Sequence, residues 1–252
     1  MLYPLSTLLL APVLIGQGRY VRRITPRLPE PEGERQGTVG EGPELRLLIL
    51  GDSAAAGVGA SNQQDALAGQ LVSALSGDHR VTWSLLAETG RKAADVLTAL
   101  NAVPGDHYDV VLVSVGVNDV TGRTSTRQWL SLLNELSDHL INRVGASRVL
   151  FTAIPPMHLF PALPQPLRWY LGMRARQMNG LMESVCKSRS ELEYLSVSFP
   201  LEPGFMASDG FHPGPDAYRL WAGHSAGCIR NGGQAPTPEI QQGISGSSGH
   251  AY

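Results

Sequence analysis

The sequence predicts an α/β fold, a parallel sheet with helices packed on both of its faces. Three observations carry that reading. Strand-length apolar runs alternate with helical patterns from residue 45 to residue 228, the order that βαβ units produce. The run VVLVSV over 110–115 is apolar and mostly β-branched on both of its faces, as a central strand covered from two sides must be. With 252 residues, 42% of them apolar and 17% charged, the chain can enclose one sizeable core without a second domain.

The elements follow in order. Residues 45–50 (LRLLIL) form the first strand and end at Gly51. Ala and Leu then recur with helical spacing over 63–75. A second strand over 81–86 leads through Gly90 to a helix over 92–100. After the strand at 110–115 come a long helix over 126–144 and a strand over 148–153. The stretch 155–166 (PPMHLFPALPQP) holds five prolines and four large apolar residues, too rigid and too apolar for a plain linker. A pocket wall or lid and ordinary surface packing both fit it. A helix over 167–187, a weak strand over 192–197 and a helix over 215–228, opened by Pro215 and Asp216, complete the domain, whose expected limits are 45–229. In open parallel sheets the loops after the carboxyl ends of the strands build the site. Those loops are 51–60, 88–91, 116–121 and the one after Ile154.

Three segments lie outside that domain. Residues 1–24 are dominated by an apolar run over 2–16, followed by Arg19, Arg22 and Arg23. The run is short for a membrane span and is broken by Pro4 and Pro12. No Lys or Arg precedes it and no small-residue cleavage site follows, which argues against a cleaved signal peptide. The basic residues behind it would keep the rest of the chain cytoplasmic if it inserted. Membrane association through residues 2–16 and a helix packed on the domain stay equally open. Residues 25–44, rich in Pro, Gly, Glu and Arg, read as a linker arm. Residues 230–252, rich in Gly, Ser and Gln, read as a disordered tail.

Composition narrows the partners. A net charge of −2 without a run of either sign gives nucleic acid nothing to bind. Cys186 and Cys228 are too few and too far apart for a disulfide framework and read as two buried free thiols. No His and Cys cluster has zinc-site spacing, so neither a metal nor a cofactor is expected.

Gly51-Asp52-Ser53 stands directly after the first strand, where a strand-to-helix turn would lift a hydroxyl clear of the sheet. Alone it is equally a good turn and helix cap. A serine hydroxyl becomes a useful nucleophile only when a base removes its proton, and imidazole has the right proton affinity. Of seven histidines, only His212 has a carboxylate three residues before it, Asp209, inside a Gly/Pro-rich loop. That carboxylate would fix the ring tautomer and stabilise the imidazolium. Gly116-Val117-Asn118-Asp119 ends the strongest strand, and the Asn118 amide could donate to an oxyanion. Gly90, after the second strand, could add a backbone N–H to the same oxygen.

Together the four pieces resemble the four blocks of the SGNH (GDSL-type) hydrolases, in the right order and over residues 45–228. The resemblance implies a flavodoxin-like three-layer α/β/α sandwich with a central parallel five-stranded sheet. It implies a triad of Ser53, His212 and Asp209, and an oxyanion hole of the Ser53 and Gly90 N–H groups with the Asn118 side chain. Asp52 would shape the serine turn and Asp119 would hold its loop.

Rival motifs fail on particular residues. The Gly-x-Ser-x-Gly elbow would need glycine where Ala55 stands, no Gly-Lys-Ser/Thr follows Gly51, and Asn62 occupies the third glycine of a dinucleotide fingerprint. The expected function is hydrolysis of a small acyl ester of short to medium chain through an acyl-enzyme. A carbohydrate O-deacetylase, a thioesterase or a lysophospholipase could use the same site. A non-catalytic, membrane-tethered binding module is the remote alternative.

Overall fold

In the computed structural model, which describes residues 3–103, 105, 107–122, 124–197 and 204–232, the strands are β1 (Gln36–Val39), β2 (Glu44–Gly51), β3 (Arg80–Ala87), β4 (Tyr108–Ser114), β5 (Ala146–Thr152) and β6 (Leu192–Leu195). They form one sheet in the order β1-β3-β2-β4-β5-β6. Five strands, β3 to β6 in that order, run parallel, and β2 lies in the middle between β3 and β4. This is the doubly wound order, and the reversal next to β2 places the loops after β2, β3 and β4 side by side.

Alternate side chains of a strand go to opposite faces, so the inner strands β2, β4 and β5 each feed two cores. Leu48 and Leu50 of β2, Val111 and Val113 of β4, and Val149 and Phe151 of β5 join one core. It is covered by α4 (Ala93–Ala99), α6 (Thr126–Asn142) and α7 (Leu167–Cys186). Leu47, Ile49, Val110, Leu112 and Leu150 turn to the other face, under α3 (Leu67–Leu75) and α8 (Pro215–Arg230). Each such Leu or Ile is almost wholly buried and contributes about 1.5–3 kcal/mol by leaving water. Trp129 of α6 is fully buried, and its indole N–H donates to Met178 O of α7 at 3.0 Å, whereas the indole N–H groups of the buried Trp83 and Trp221 have no partner among the described residues.

Helix limits agree with the sequence reading to within a few residues, except at α3. The spacing predicts a start at Gln63, but the helix begins at Leu67. Gln63 is buried and already occupied: its N–H donates to Glu32 O at 2.9 Å and its side chain to Ala56 O at 2.8 Å.

The segment 25–44 departs from the expected linker arm. Pro31 is buried against the turn at Gly57, and β1 pairs antiparallel with the outer edge of β3. All four β1 residues are exposed, so backbone pairing and not an apolar face holds the strand. Arg35 adds a hydrogen bond to Ala87 O and a 3.0 Å ion pair to Glu30.

At the N-terminus, α1 (Tyr3–Ile24) is a helix that includes Pro12. Leu10, Leu14 and Val21 pack into the first core, and the Gln17 side chain bridges to the start of α7, donating to Gln165 O at 2.6 Å and accepting from Leu167 N at 3.1 Å. Among the described residues no helix is long and apolar enough to cross a membrane. The polar tail expected over 230–252 lies outside the described residues beyond Gly232. Cys186 and Cys228 are free and buried; burial pushes both thiols up to about 12.

Candidate active site

The serine turn is set by the approach of two strands. Gly51 ends β2 with φ +156°, and a Cβ there would lie 2.0 Å from Ser114 O on β4, which excludes every side chain. Asp52 N then donates to that same carbonyl at 3.1 Å. The short α2 (Ser53–Ala56) follows, with Asp52 as its cap: the carboxylate accepts from Ala54 N at 3.1 Å. Ser53 is therefore the first residue of the helix, where backbone N–H groups have no partner within the helix. From α8, the buried Tyr218 hydroxyl donates to Val58 O at 2.7 Å and anchors the far side of the turn. Asp52 itself is buried, which drives its carboxyl up to about 7; the Ala54 N–H and nearby His212 counter this, and Asp119 adds to it.

The histidine loop is shaped by its own backbone. Ala207 N donates to His212 O and Gly214 N to Phe205 O, both at 2.8 Å, closing a narrow loop over 205–214. Inside it one oxygen of Asp209 accepts from Phe211 N at 2.9 Å and from His212 N at 3.0 Å. Its other oxygen lies 2.6 Å from His212 Nδ1. Burial pushes the Asp209 carboxyl up, but the bonds from the His212 ring and from the two backbone N–H groups outweigh it and hold the carboxyl below its ordinary value. The opposite ring nitrogen, His212 Nε2, is 2.9 Å from Ser53 Oγ. Three residues spread over 159 positions thus form one continuous chain of hydrogen bonds.

The two remaining loops sit beside it. Asn118 is the second residue of α5 (Val117–Thr121), and one amide hydrogen donates to Arg91 O at 3.0 Å, leaving the second for another acceptor. Gly90, next to Arg91, has φ +88° and open space where a side chain would stand. Asp119 is fully buried and accepts from Ala93 N at 3.0 Å and Thr124 Oγ1 at 2.8 Å; burial raises its carboxyl. It ties α5 to α4.

A cavity of about 60 Å³ opens on Ser53 and His212. Val117, Phe160, Met206 and Phe211 are among its walls, and Phe160 meets Phe211 edge to face at 5.1 Å. The proline-rich stretch therefore serves two ends: Pro155 and Phe160 line the cavity while Met157 and Leu163 are buried in the core. The structure brings Ser53, His212 and Asp209 together directly. Gly90 and Asn118 are joined to each other through Arg91 and stand outside the wall of this cavity.

Two supporting residues escape the sequence reading. Arg174 of α7 donates to Val120 O at 3.0 Å, Thr124 O at 2.8 Å and Asp119 O at 3.3 Å, clamping the loop that carries Asn118. Glu30 accepts from Thr89 N at 2.6 Å and Thr89 Oγ1 at 2.8 Å, fixing the residue before Gly90. Both act on loops fifty or more residues away in sequence, and no local motif announces them.

Solved structures share this architecture. An extracellular lipase from Streptomyces rimosus is 16% identical, with a TM-score of 0.54 over 72% of this chain and 99% of that one. The acetylxylan esterase Axe2 from Geobacillus stearothermophilus is 17% identical, with a TM-score of 0.53 over 76% and 95%. TesA is 21% identical, with a TM-score of 0.56 over 73% and 97%. At such identities the likeness shows the fold. No curated protein matches the chain by sequence. The model of the GDSL-like lipase/acylhydrolase family matches residues 49–220, from the strand before the serine turn to beyond the histidine loop, and the chain belongs to that family of esterase-type hydrolases.

Proposed function

We propose that the chain hydrolyses carboxylic esters of short acyl groups through an acyl-enzyme formed on Ser53. The observation that carries this is the unbroken path from Ser53 Oγ through the His212 ring to Asp209, at 2.9 and 2.6 Å, opening on an apolar cavity. Asp209 accepts the Nδ1 proton and so presents a bare Nε2 to the serine. His212 takes the Ser53 proton as Oγ attacks the ester carbonyl. Ser53 N–H, Gly90 N–H and the free hydrogen of Asn118 receive the developing oxyanion. His212 returns the proton to the departing alcohol, and water, deprotonated by the same ring, then releases the acid and restores Ser53.

Cavity size supports a short acyl group. A single water needs roughly 10–15 Å³, so a cavity of about 60 Å³ is small and suits a short acyl group. Its walls of Val117, Phe160, Met206 and Phe211 favour an apolar acyl group. The named activities of the similar structures, lipase and acetylxylan esterase, agree with ester substrates. A sugar O-deacetylase, thioesterase or lysophospholipase would use the same residues on a different leaving group.

Hydrolysis of p-nitrophenyl esters from acetyl to dodecanoyl, with Ser53→Ala beside the native protein, tests the proposal. The expected result is turnover that peaks at acetyl to butanoyl and vanishes in the variant. Full activity in Ser53→Ala would overturn the assignment, and an optimum at dodecanoyl would overturn the short-acyl reading.

A further inference from the structure

The outer side of α1 is a feature that the ester site does not use. Four of its apolar side chains, Val13, Ile15, Tyr20 and Ile24, are between 47% and 59% exposed. They belong to a helix whose inward stripe, Leu10, Leu14, Gln17 and Val21, is already satisfied by the domain. Helical periodicity puts Val13, Tyr20 and Ile24 on one flank of that stripe, seven and four residues apart. Arg19 and Arg23, four residues apart and exposed, follow on the side farther from the domain. Apolar surface bordered by long cations on its outer side is the arrangement of a helix lying in a lipid interface.

Charge along the chain points the same way. Residues 1–29 hold four arginines and no acidic residue. Residues 153–182, which include the start of α7 against which α1 packs, hold Arg168, Arg174 and Arg176 and again no acidic residue. The rest of the chain carries 13 basic and 22 acidic residues, so a protein of net charge −2 divides into parts of +7 and −9. The first turns of α7 also expose Trp169, whereas Trp83, Trp129 and Trp221 are buried. Leu159, in the short helical turn packed on α7, is exposed next to the cavity wall at Phe160.

We infer that α1, with the beginning of α7, forms a docking face for an anionic lipid bilayer, on which α1 lies in the plane of the headgroups without crossing. A neutral apolar partner would account for Val13, Tyr20 and Ile24 but not for the exposed Arg19, Arg22 and Arg23 on the same helix. An acidic soluble partner would account for the arginines but not for a row of half-exposed apolar side chains. Continuity through Leu159 and Phe160 brings esters dissolved in that bilayer close to the cavity. The binding itself requires no turnover.

Cosedimentation of the full chain with vesicles tests this. Phosphatidylcholine vesicles with 30% phosphatidylglycerol should bind the protein, pure phosphatidylcholine should bind it at least ten-fold less, and 0.5 M NaCl should release much of it. Replacing Arg19, Arg22 and Arg23 by Gln should weaken partitioning by about five-fold for each charge removed. The variant V13S/Y20S/I24S should lose binding while hydrolysing p-nitrophenyl acetate at the native rate, which shows that it is folded. Spin-labelled lipid should quench Trp169, and Trp169→Phe should remove that signal. Absence of vesicle binding by the native protein, or binding unchanged in the triple serine variant, would overturn the inference. So would a concentration-dependent dimer without lipid that the same variant dissociates, since α1 would then be a contact between copies.

Discussion

The serine turn and the histidine loop each place one buried aspartate near His212, and they treat it in opposite ways. In the histidine loop Asp209 receives two backbone N–H groups and the ring, and its carboxyl is held below the ordinary value. In the serine turn Asp52 receives a single N–H from Ala54 at 3.1 Å, and burial drives its carboxyl up to about 7. Burial is the largest influence on both and is deeper at Asp52; at Asp209 the ring and two backbone donors outweigh it, and at Asp52 the donors do not. A loop that folds back on itself can aim several N–H groups at one oxygen, whereas a cap at the head of a four-residue helix spends its carboxylate on one. The difference suits Asp209 to remain charged opposite an imidazolium and suits Asp52 to shape a turn.

The largest effects should come from breaking the chain that runs through the histidine loop. His212→Ala is expected to lower kcat by about 10⁶-fold, because the serine would lose its proposed proton acceptor. Stopped or steady-state assay on p-nitrophenyl acetate reads this directly, and a loss of less than ten-fold would remove His212 from the proposed triad. Asp209→Asn keeps the shape of the loop but offers an amide to Nδ1, which favours the wrong ring tautomer, and should cost about 10⁴-fold in kcat. Asp52→Asn, by contrast, should leave kcat within about ten-fold of native, since Asn caps a helix as well as Asp does. Equal losses in the two variants would erase the distinction drawn between the two aspartates.

A smaller loss is expected at the proposed oxyanion donors. Asn118→Ala should reduce kcat by about 10²–10³-fold with KM little changed. An effect confined to KM would make Asn118 a residue that only positions the substrate. Arg174→Met should reproduce part of this loss, because the loop that carries Asn118 loses its hydrogen bonds at Asp119, Val120 and Thr124.

What could be read from the sequence, and what could not, follows the same division between local and distant causes. Strands β2, β4 and β5 announce themselves because each is largely an apolar run buried on both faces, as Leu47 to Leu50 show by feeding alternate cores, whereas β3 shows the alternation of a strand buried on one face and β6 is only four residues long. Ser53, Asp209, His212 and Asn118 stand in short glycine-bearing turns at strand ends or before a helix, where spacing alone suggests their geometry. β1 was hidden because none of its side chains is buried: a strand that joins an edge through backbone bonds leaves no apolar alternation to detect. Glu30 and Arg174 were hidden because each serves a loop from a distant element. The proton affinity of Asp52 depends on burial and on how many donors fold around it, and neither is written in Gly-Asp-Ser.

The subtlest contrast between the two aspartates is in stability, and its sign differs for each. Asp52 binds its proton more tightly when folded, at about 7 against an ordinary 3.8, so the folded state holds more protons than the unfolded chain between these values. Stability from this group is therefore fully present below about pH 4 and is lost as pH rises through about 7, by an amount on the order of a few kcal/mol. Asp209, held below 3.8, contributes stability that is present above that value and is lost as pH falls through its lower folded value. Thermal unfolding of the native protein and of Asp52→Asn at pH 5 and pH 8 isolates the first effect. The native Tm should fall relative to the variant between the two pH values, because the neutral amide has no proton to lose. The comparison for Asp209→Asn should be flat over that range and should narrow only in acid, below about pH 4. A gap between native protein and Asp52→Asn that stays constant from pH 5 to pH 8 would mean that Asp52 carries the same charge throughout. Burial would then have been relieved at the serine turn by donors beyond the Ala54 N–H, and the two loops would differ in shape but not in how they hold a carboxylate.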